Sequence, residues 1–176
     1  MQTSLGLALI GLAFAKPQTG YALRKVFEES PLGIFSSSPG SIYPALAKLE
    51  NAGLLQRRPQ AVGGRPLYHV TESGRGVLLE WLDAAITVEE VARNVDHILL
   101  RFAFLQSFPD NDDLTRRFLR SFRKAVKTHL QGLRAFMESD EGQSLSSHGR
   151  WAMQNGILGY ESHLDWAEDV LRELNK

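Results

Sequence analysis

A short hairpin signal set between helices constrains the fold of this chain more than any other feature. Leu54 to Gln60 reads as a strand, Ala61 to Pro66 as a turn with two consecutive glycines, and Leu67 to Val70 as the returning strand. Two short strands joined by a Gly-Gly turn are typical of a β-hairpin. The chain therefore combines a small β element with segments whose pattern is helical.

Helices are predicted on both sides of this hairpin. Four segments have the apolar spacing or the stop signals of helices: Leu5–Ala15, Tyr21–Glu29, a segment ending near Asn51, and Thr71 to about Ala85. In the third segment Ile42, Leu46 and Leu49 recur at spacings of four and three, so one face is expected to be buried. Three helices, two strands and a helix form the element order of a winged helix-turn-helix.

The first apolar segment has a second interpretation, as a secretory signal peptide. It ends in Ala13-Phe14-Ala15, which is similar to a cleavage site, but residues 1–4 contain no Lys or Arg and the run is too short to span a bilayer. We therefore favour a buried helix, and we expect a cytoplasmic protein without membrane contact. The absence of cysteine fits that compartment.

The second half of the chain has a different pattern. Three long amphipathic helices are predicted, ending near Leu105, Glu138 and Leu174, with a polar loop before the last. On the first and third of them, apolar residues alternate at spacings of three and four, as on a coiled-coil seam. We favour a subunit interface over a self-contained bundle. The candidate dimerisation residues are Val91, Val95, Ile98, Phe102, Ile157, Tyr160, Leu164 and Leu171.

The predicted fold class is thus mainly α with a small β-hairpin wing. Residues 1–86 are expected to form a winged helix-turn-helix DNA-binding domain, and residues 87–176 a helical dimerisation domain. The net charge is zero, although residues 1–85 carry +2 and the remainder −2. Arg57, Arg58 and Arg65 cluster without an intervening acid, which is the charge pattern of a nucleic-acid contact.

Two elements are candidates for contact with DNA. The third helix would present its exposed face to base edges in a major groove, while cations around it neutralise phosphates. The wing would place Arg65 near a minor groove, with glycine allowing close backbone approach. An ordinary solvated face is the alternative for each. The candidate DNA-binding residues are Ser38, Ser41, Tyr43, Pro44, Lys48, Arg57, Gly64, Arg65 and Tyr68.

Two segments resemble the PadR family of regulators. Gly40–Leu54 is similar to its recognition-helix motif and Gly64–Gly74 to its wing, and Leu5–Ile10 and Thr19–Tyr21 also fit its pattern. The last helix more loosely resembles that of the larger PadR-type proteins. It does so at Gly156, Gly159, Glu161, His163, Leu164, Asp165 and Trp166.

This resemblance implies a homodimer that usually represses transcription. In the better-known members of the family an effector, such as a phenolic acid, releases the DNA. Ser41, Tyr43 and Arg65 match the DNA-facing positions of the family, whereas Lys48 is placed there by helix geometry alone.

The sequence therefore predicts an effector-responsive repressor that binds double-stranded DNA as a homodimer on a roughly palindromic operator. No histidine pair has the spacing of a helical metal site, and no nucleophile elbow or phosphate loop occurs. Neither catalysis nor a metal or cofactor is expected. A winged module that binds protein instead of DNA is the rival hypothesis. Several aromatic residues are expected in the core, with an effector cavity as the alternative: Trp81, Phe102, Trp151, Tyr160 and Trp166.

Overall fold

The computed structural model of the chain describes residues 3–30, 32–33, 39–60, 63–108 and 111–176. Within these ranges the chain is mainly helical, with one antiparallel pair of strands, which confirms the predicted fold class. Short 3-10 turns occupy Pro39–Ser41 and Leu105–Ser107. The remaining elements are α1 (Ser4–Ala15), α2 (Gly20–Glu29), α3 (Ile42–Asn51), β1 (Leu55–Arg58), β2 (Leu67–Val70), α4 (Glu72–Asp83), α5 (Val88–Ala103), α6 (Asp112–Glu138), α7 (Asp140–Gln143) and α8 (Ser147–Glu173).

The chain forms two compact units. The N-terminal unit contains the residues up to Ala84 together with Leu99–Asn111, and the C-terminal unit contains Ala85–Ile98 and Asp112–Lys176. The predicted division at residue 86 lies close to the first boundary. The sequence places residues 99–111 in the second half, whereas in the structure they belong to the N-terminal unit.

Side chains from that late segment explain its place in the N-terminal unit. The ring of Phe104 lies against Gly11 of α1, where an added Cβ would come within 2.7 Å of the ring. Arg101 is buried and donates hydrogen bonds to the carbonyl oxygens of Leu82, at 3.1 Å, and Ala84. Because the last carbonyls of a helix lack intrahelical donors, Arg101 satisfies the end of α4.

Helix α1 lies at the centre of the N-terminal unit. Leu9 and Ile10 are fully buried, and α1 packs on α2, α3, α4 and β2. The Thr3 hydroxyl caps the helix by accepting from the Gly6 amide at 3.1 Å. A helix surrounded in this way must be apolar on every side. No helix in the described part of the chain is long and apolar enough to cross a membrane.

The hairpin pairs Leu55 with Val70 and Arg58 with Leu67 at its two ends. The first strand is shorter than predicted, and the second has the predicted bounds. Gly63 and Gly64 have φ values of 60° and 110°, a left-handed backbone region that favours glycine and that the turn requires.

Helices α6 and α8 form the body of the C-terminal unit. Phe122 of α6 is fully buried, with its ring centroid 5.9 Å from that of Trp166 and 6.3 Å from that of His163. Arg116 donates to the carbonyl oxygen of Leu174 at 2.6 Å. The predicted loop before α8 instead contains the short helix α7, and α8 begins three residues earlier than expected.

The first long helix of the second half, predicted to continue to about Leu105, is interrupted. Asn94 has non-helical dihedral angles, φ −164° and ψ 71°, within α5. Its side-chain oxygen accepts a hydrogen bond from the His97 amide at 3.4 Å, so Asn94 supports the start of the following turns.

Candidate nucleic-acid interface

Helix α3 has the two faces that its sequence predicts. Ile42, Leu46 and Leu49 are buried. Ser41, in the turn that leads into the helix, is half-buried. The side chains on the opposite face are exposed: Tyr43, Pro44, Ala47 and Lys48. The helix therefore offers solvent a short surface with one aromatic ring, small apolar groups and one cation.

The wing adds a cationic edge to the same unit. Arg57, Arg58 and Arg65 are all exposed, as is Gly64 at the turn. The side-chain amide of Gln60 donates to the carbonyl oxygen of Arg65 at 2.8 Å, which fixes the backbone at this point. Three guanidinium groups on one hairpin are suited to contact phosphates.

Arg57 already has a partner in the protein. Its Nε lies 2.7 Å from Oε1 of Glu50, near the end of α3. This hydrogen bond and the charge of Glu50 raise the pKa of Arg57. The pair connects strand β1 to α3, and Glu50 offsets part of the charge that Arg57 would present to DNA. Arg57 therefore contributes less to the cationic edge than Arg65 does.

Tyr68 lies in the core of the N-terminal unit, only 9% exposed, and not on the surface where it was expected. Its amide donates to the carbonyl oxygen of Gln18 at 2.8 Å. A Cβ added at Gly20 would lie 3.4 Å from the Tyr68 ring and 3.1 Å from the Tyr43 ring. Burial raises the pKa of the Tyr68 hydroxyl. We therefore assign Tyr68 to packing beneath the interface. Ser38 lies outside the described residues.

Two residues that sequence reasoning did not select lie beside the wing. Tyr21, at the start of α2, is 48% exposed. The guanidinium carbon of Arg24 is 5.6 Å from its ring centroid, and that of Arg65 is 6.0 Å away. The i, i+3 spacing of Tyr21 and Arg24 was a usable signal.

The candidate dimerisation residues are largely covered by their own chain. Val91, Ile98 and Leu171 are buried. The other five are half-buried: Val95, Phe102, Ile157, Tyr160 and Leu164. The large apolar side chains that the C-terminal unit exposes most are different ones, Phe136, Trp151 and Leu158.

A groove of about 500 Å³ lies beside Trp151 in the C-terminal unit. Arg134, Arg150 and Met137 line it, with Glu138, Gln154 and Ile157. The two other tryptophans pack on neighbouring rings, Trp81 on Phe104 and Trp166 on Phe122. Among the described residues, no group of three or more acidic or histidine side chains is placed to hold a metal ion.

Comparison with known proteins covers both halves of the chain. Residues 9–80 match the transcriptional regulator PadR-like family, and residues 95–175 match the family described as virulence activator alpha C-term. The negative transcriptional regulator PadR of Bacillus subtilis is 28% identical over 98% of both chains.

Solved structures of Bacillus subtilis PadR are similar to this chain. The complex with p-coumaric acid is 26% identical and covers 98% of this chain and 96% of that one, with a TM-score of 0.45. The PadR chain in the complex with operator DNA is 23% identical, and the match covers 97% of this chain and 98% of that one, with a TM-score of 0.44. The two family matches and the full-length relative agree with the resemblance found in the recognition-helix and wing motifs. The chain therefore contains a PadR-like family domain at residues 9–80, and it is similar to Bacillus subtilis PadR over nearly its full length.

Proposed function

We propose that this regulator represses transcription by binding a specific operator as a homodimer, with α3 in a major groove and the wing beside it. The observation that carries the proposal is the pairing of two exposed surfaces in one unit. Helix α3 exposes Tyr43, Pro44 and Lys48, and the hairpin exposes Arg58 and Arg65. A helix that fits a groove next to a cationic hairpin is the arrangement that a duplex requires.

Each proposed contact has a distinct physical role. Lys48 neutralises a phosphate, and the hydroxyls of Ser41 and Tyr43 donate to phosphate or base atoms. Since α3 exposes neither Arg nor Gln, bidentate contacts to bases are few. Specificity then depends on DNA shape and on apolar contacts from Pro44.

The wing supplies the second part of the interface. Arg65 enters a minor groove, because a narrow minor groove has an enhanced negative potential that attracts a guanidinium group. Gly64 has no side chain and lets the backbone approach the sugar-phosphate chain closely. Arg58 adds a phosphate contact, while Arg57 does so less effectively because Glu50 occupies it.

A second copy is proposed to cover the exposed apolar residues of the C-terminal unit. Trp151 is 61% exposed and Leu158 58% exposed, and both lie on α8. Burial of such side chains between subunits is favourable. A two-fold dimer then requires a roughly palindromic operator, with half-site centres about 34 Å or a multiple of that apart.

Two finer features complete the proposal. From the resemblance to the PadR family we propose an aromatic small molecule as the effector that releases DNA. Because the ligand is chromosomal DNA, we place the protein in the cytoplasm.

The test begins with selection of bound sequences from random duplex DNA. Binding to the enriched site is then measured by fluorescence anisotropy at several salt concentrations. Arg65→Ala should cost about 1–3 kcal/mol, and Lys48→Ala should reduce the salt slope by about one. Arg93→Ala is the matched control, because Arg93 is an exposed arginine of the C-terminal unit and pairs with Glu89.

The rival function, a winged module that binds protein, makes the opposite prediction. No sequence would be enriched, and the weak attraction to DNA would not depend on Arg65 or Lys48. That outcome would reject the repressor proposal, since a specific operator complex must lose affinity steeply as salt rises.

A further inference from the structure

We infer that Tyr21 is a positioning residue, which holds the wing arginine Arg65 against the start of α2 before DNA arrives. The inference rests on the proposed DNA-binding function and adds a residue to it. Tyr21 lies outside α3 and outside the hairpin, the two elements expected to contact DNA. In the described structure its ring nevertheless lies beside the Arg65 guanidinium and so connects the wing to the start of α2.

The geometry around the ring supports this role. The guanidinium carbon of Arg65 lies 6.0 Å from the Tyr21 ring centroid, and that of Arg24 lies 5.6 Å away. Both distances fall within the range over which a cation is attracted to the face of an aromatic ring. Arg24 also pairs with Glu28 at 3.1 Å, so an acid offsets its charge. Arg65 forms no ion pair within the described ranges, and its charge is therefore available to DNA.

The platform that Tyr21 provides is rigid. Thr19 caps α2 by accepting from the Ala22 amide at 3.1 Å, and this hydrogen bond fixes the backbone around Tyr21. The preceding Gly20 is so close to Tyr43 and Tyr68 that an added Cβ would lie 3.1 and 3.4 Å from their rings. The start of α2 therefore cannot move toward these two rings without displacing them.

The wing needs such a platform because its own turn leaves the arginine side chain unrestrained. Gly63 and Gly64 precede Arg65, and the Gln60 hydrogen bond fixes only its carbonyl oxygen. An unrestrained arginine loses rotamer entropy when it binds, which lowers affinity. A ring that already limits the guanidinium to one region reduces that loss.

The first experiment observes the protein without DNA. We expect the NMR signals of the Arg65 side-chain protons to be displaced from their random-coil positions by the Tyr21 ring. Tyr21→Leu should return them toward those positions, whereas Tyr21→Phe, which keeps the ring, should not. Unchanged Arg65 signals in Tyr21→Leu would overturn the inference, whether or not the protein binds an operator.

The second experiment is a double-mutant cycle on the selected operator. Tyr21→Leu should weaken binding about two- to fivefold, and Tyr21→Phe should bind like the wild type. In an Arg65→Ala background, Tyr21→Leu should have no further effect. In a Lys48→Ala background the two losses should multiply, because no contact joins Tyr21 to Lys48 in the described structure.

Two outcomes of the cycle would overturn the inference. If the losses from Tyr21→Leu and Arg65→Ala multiply, the two residues act independently. If Tyr21→Phe is as weak as Tyr21→Leu, the hydroxyl contacts DNA directly and the ring does not position Arg65. Thermal unfolding of each variant, compared with wild type, separates these effects from a loss of folding. A wild-type protein that binds no duplex would reject the proposed function, and the NMR result would still decide the role of Tyr21.

Discussion

The central helix of the N-terminal unit and the last helix of the C-terminal unit differ sharply in burial. In α1 the run from Gly6 to Gly11 is entirely buried. In α8, by contrast, Ala167 and Leu171 are the only buried residues of 27. Helix α8 instead exposes Trp151 and Leu158 to solvent.

This contrast separates a unit whose central helix is enclosed by its own chain from one whose last helix leaves large apolar side chains exposed. A solvated helix normally places charged or polar groups on its outer face, and contiguous exposed apolar side chains mark an interaction surface. Phe136 of α6 adds a third such side chain. The comparison teaches that the N-terminal unit encloses its central helix within its own chain, whereas the C-terminal unit leaves large apolar side chains exposed, where the proposed second copy would cover them.

The largest expected effect is a loss of stability on substituting Gly74, and it tests the close packing of the N-terminal unit. A Cβ added at Gly74 would lie 2.1 Å from the backbone oxygen of Leu54, which cannot rotate away. Gly74→Ala should therefore lower the unfolding free energy of this unit by about 3 kcal/mol. Hydrogen exchange, read separately for the two units, checks it. In the same helix Gly76→Ala meets open space and should be neutral or stabilising by up to about 1 kcal/mol. Equal effects of the two substitutions would contradict the core packing described here.

The second prediction concerns the open surface of α8. Leu158→Glu should raise the dimer dissociation constant about tenfold or more, because a carboxylate would be buried against the second copy. Sedimentation equilibrium measures this. Leu79→Glu, at an exposed leucine of the N-terminal unit, is the matched control and should leave association unchanged. If Leu158→Glu associates normally, the C-terminal unit is complete without that surface and the comparison fails.

A smaller effect should appear in the pH dependence of stability, which should differ between the two units. Burial lowers the pKa of His129 below its ordinary value of 6.5, and its ring lies 4.5 Å from that of Tyr160. The unfolded chain then binds the proton more readily than the folded one. This contribution to stability is complete above about pH 6.5 and is lost as the pH falls through the folded pKa. Urea unfolding at pH 7.5 and 5.5 should show it in the C-terminal unit, and His129→Gln should reduce the difference. An identical pH response in the variant would remove His129 as its source.

The smallest expected effect is that of a surface ion pair between α6 and α8. Nη2 of Arg134 lies 2.6 Å from Oε1 of Glu161, and the two side chains are 55% and 35% exposed. Glu161→Gln should cost about 0.5 kcal/mol at low salt and less at high salt. Denaturant unfolding at two salt concentrations tests this. A cost of several kcal/mol would show that α8 is held more firmly by charge than by its few buried residues.

The sequence predicted the two faces of α3 well because the relevant signal is local. Ile42, Leu46 and Leu49 share one face at any helical register, so the opposite face had to expose Tyr43 and Lys48. The Gly-Gly turn likewise determined where the hairpin reverses. In both cases a few adjacent residues carry all the necessary information.

The remaining features depend on contacts between distant residues. On a strand, alternate side chains point to opposite faces, but the strand alone does not reveal which face is buried. Tyr68 is buried because Gln18 and Gly20 lie against it. The apolar spacing along α8 predicted that one face of this helix would be buried. It did not reveal whether another helix of the same chain or a second subunit would bury that face. The contact of Tyr160 with His129 shows that α6 takes part of that role.

The candidate nucleic-acid interface could be predicted only in part for the same reason. Arg65 was recognisable from its place after two glycines. Its neighbour Tyr21 is 44 positions earlier in the chain, and no local pattern connects the two. Arg57 was recognisable as a cation, but its pairing with Glu50 required the packing of β1 beside α3.

Residues 99–111 return to the N-terminal unit after a segment of the C-terminal unit, and this affects where the chain can be truncated. A fragment that stops near residue 86 would lack both Phe104, which fills the space over Gly11, and Arg101, which binds the carbonyls at the end of α4. Such a truncation leaves a hole in a hydrophobic centre and two orphaned oxygens. Recombinant production of the N-terminal unit alone therefore has to include residues 99–111, either by retaining the intervening segment or by joining them through an engineered linker.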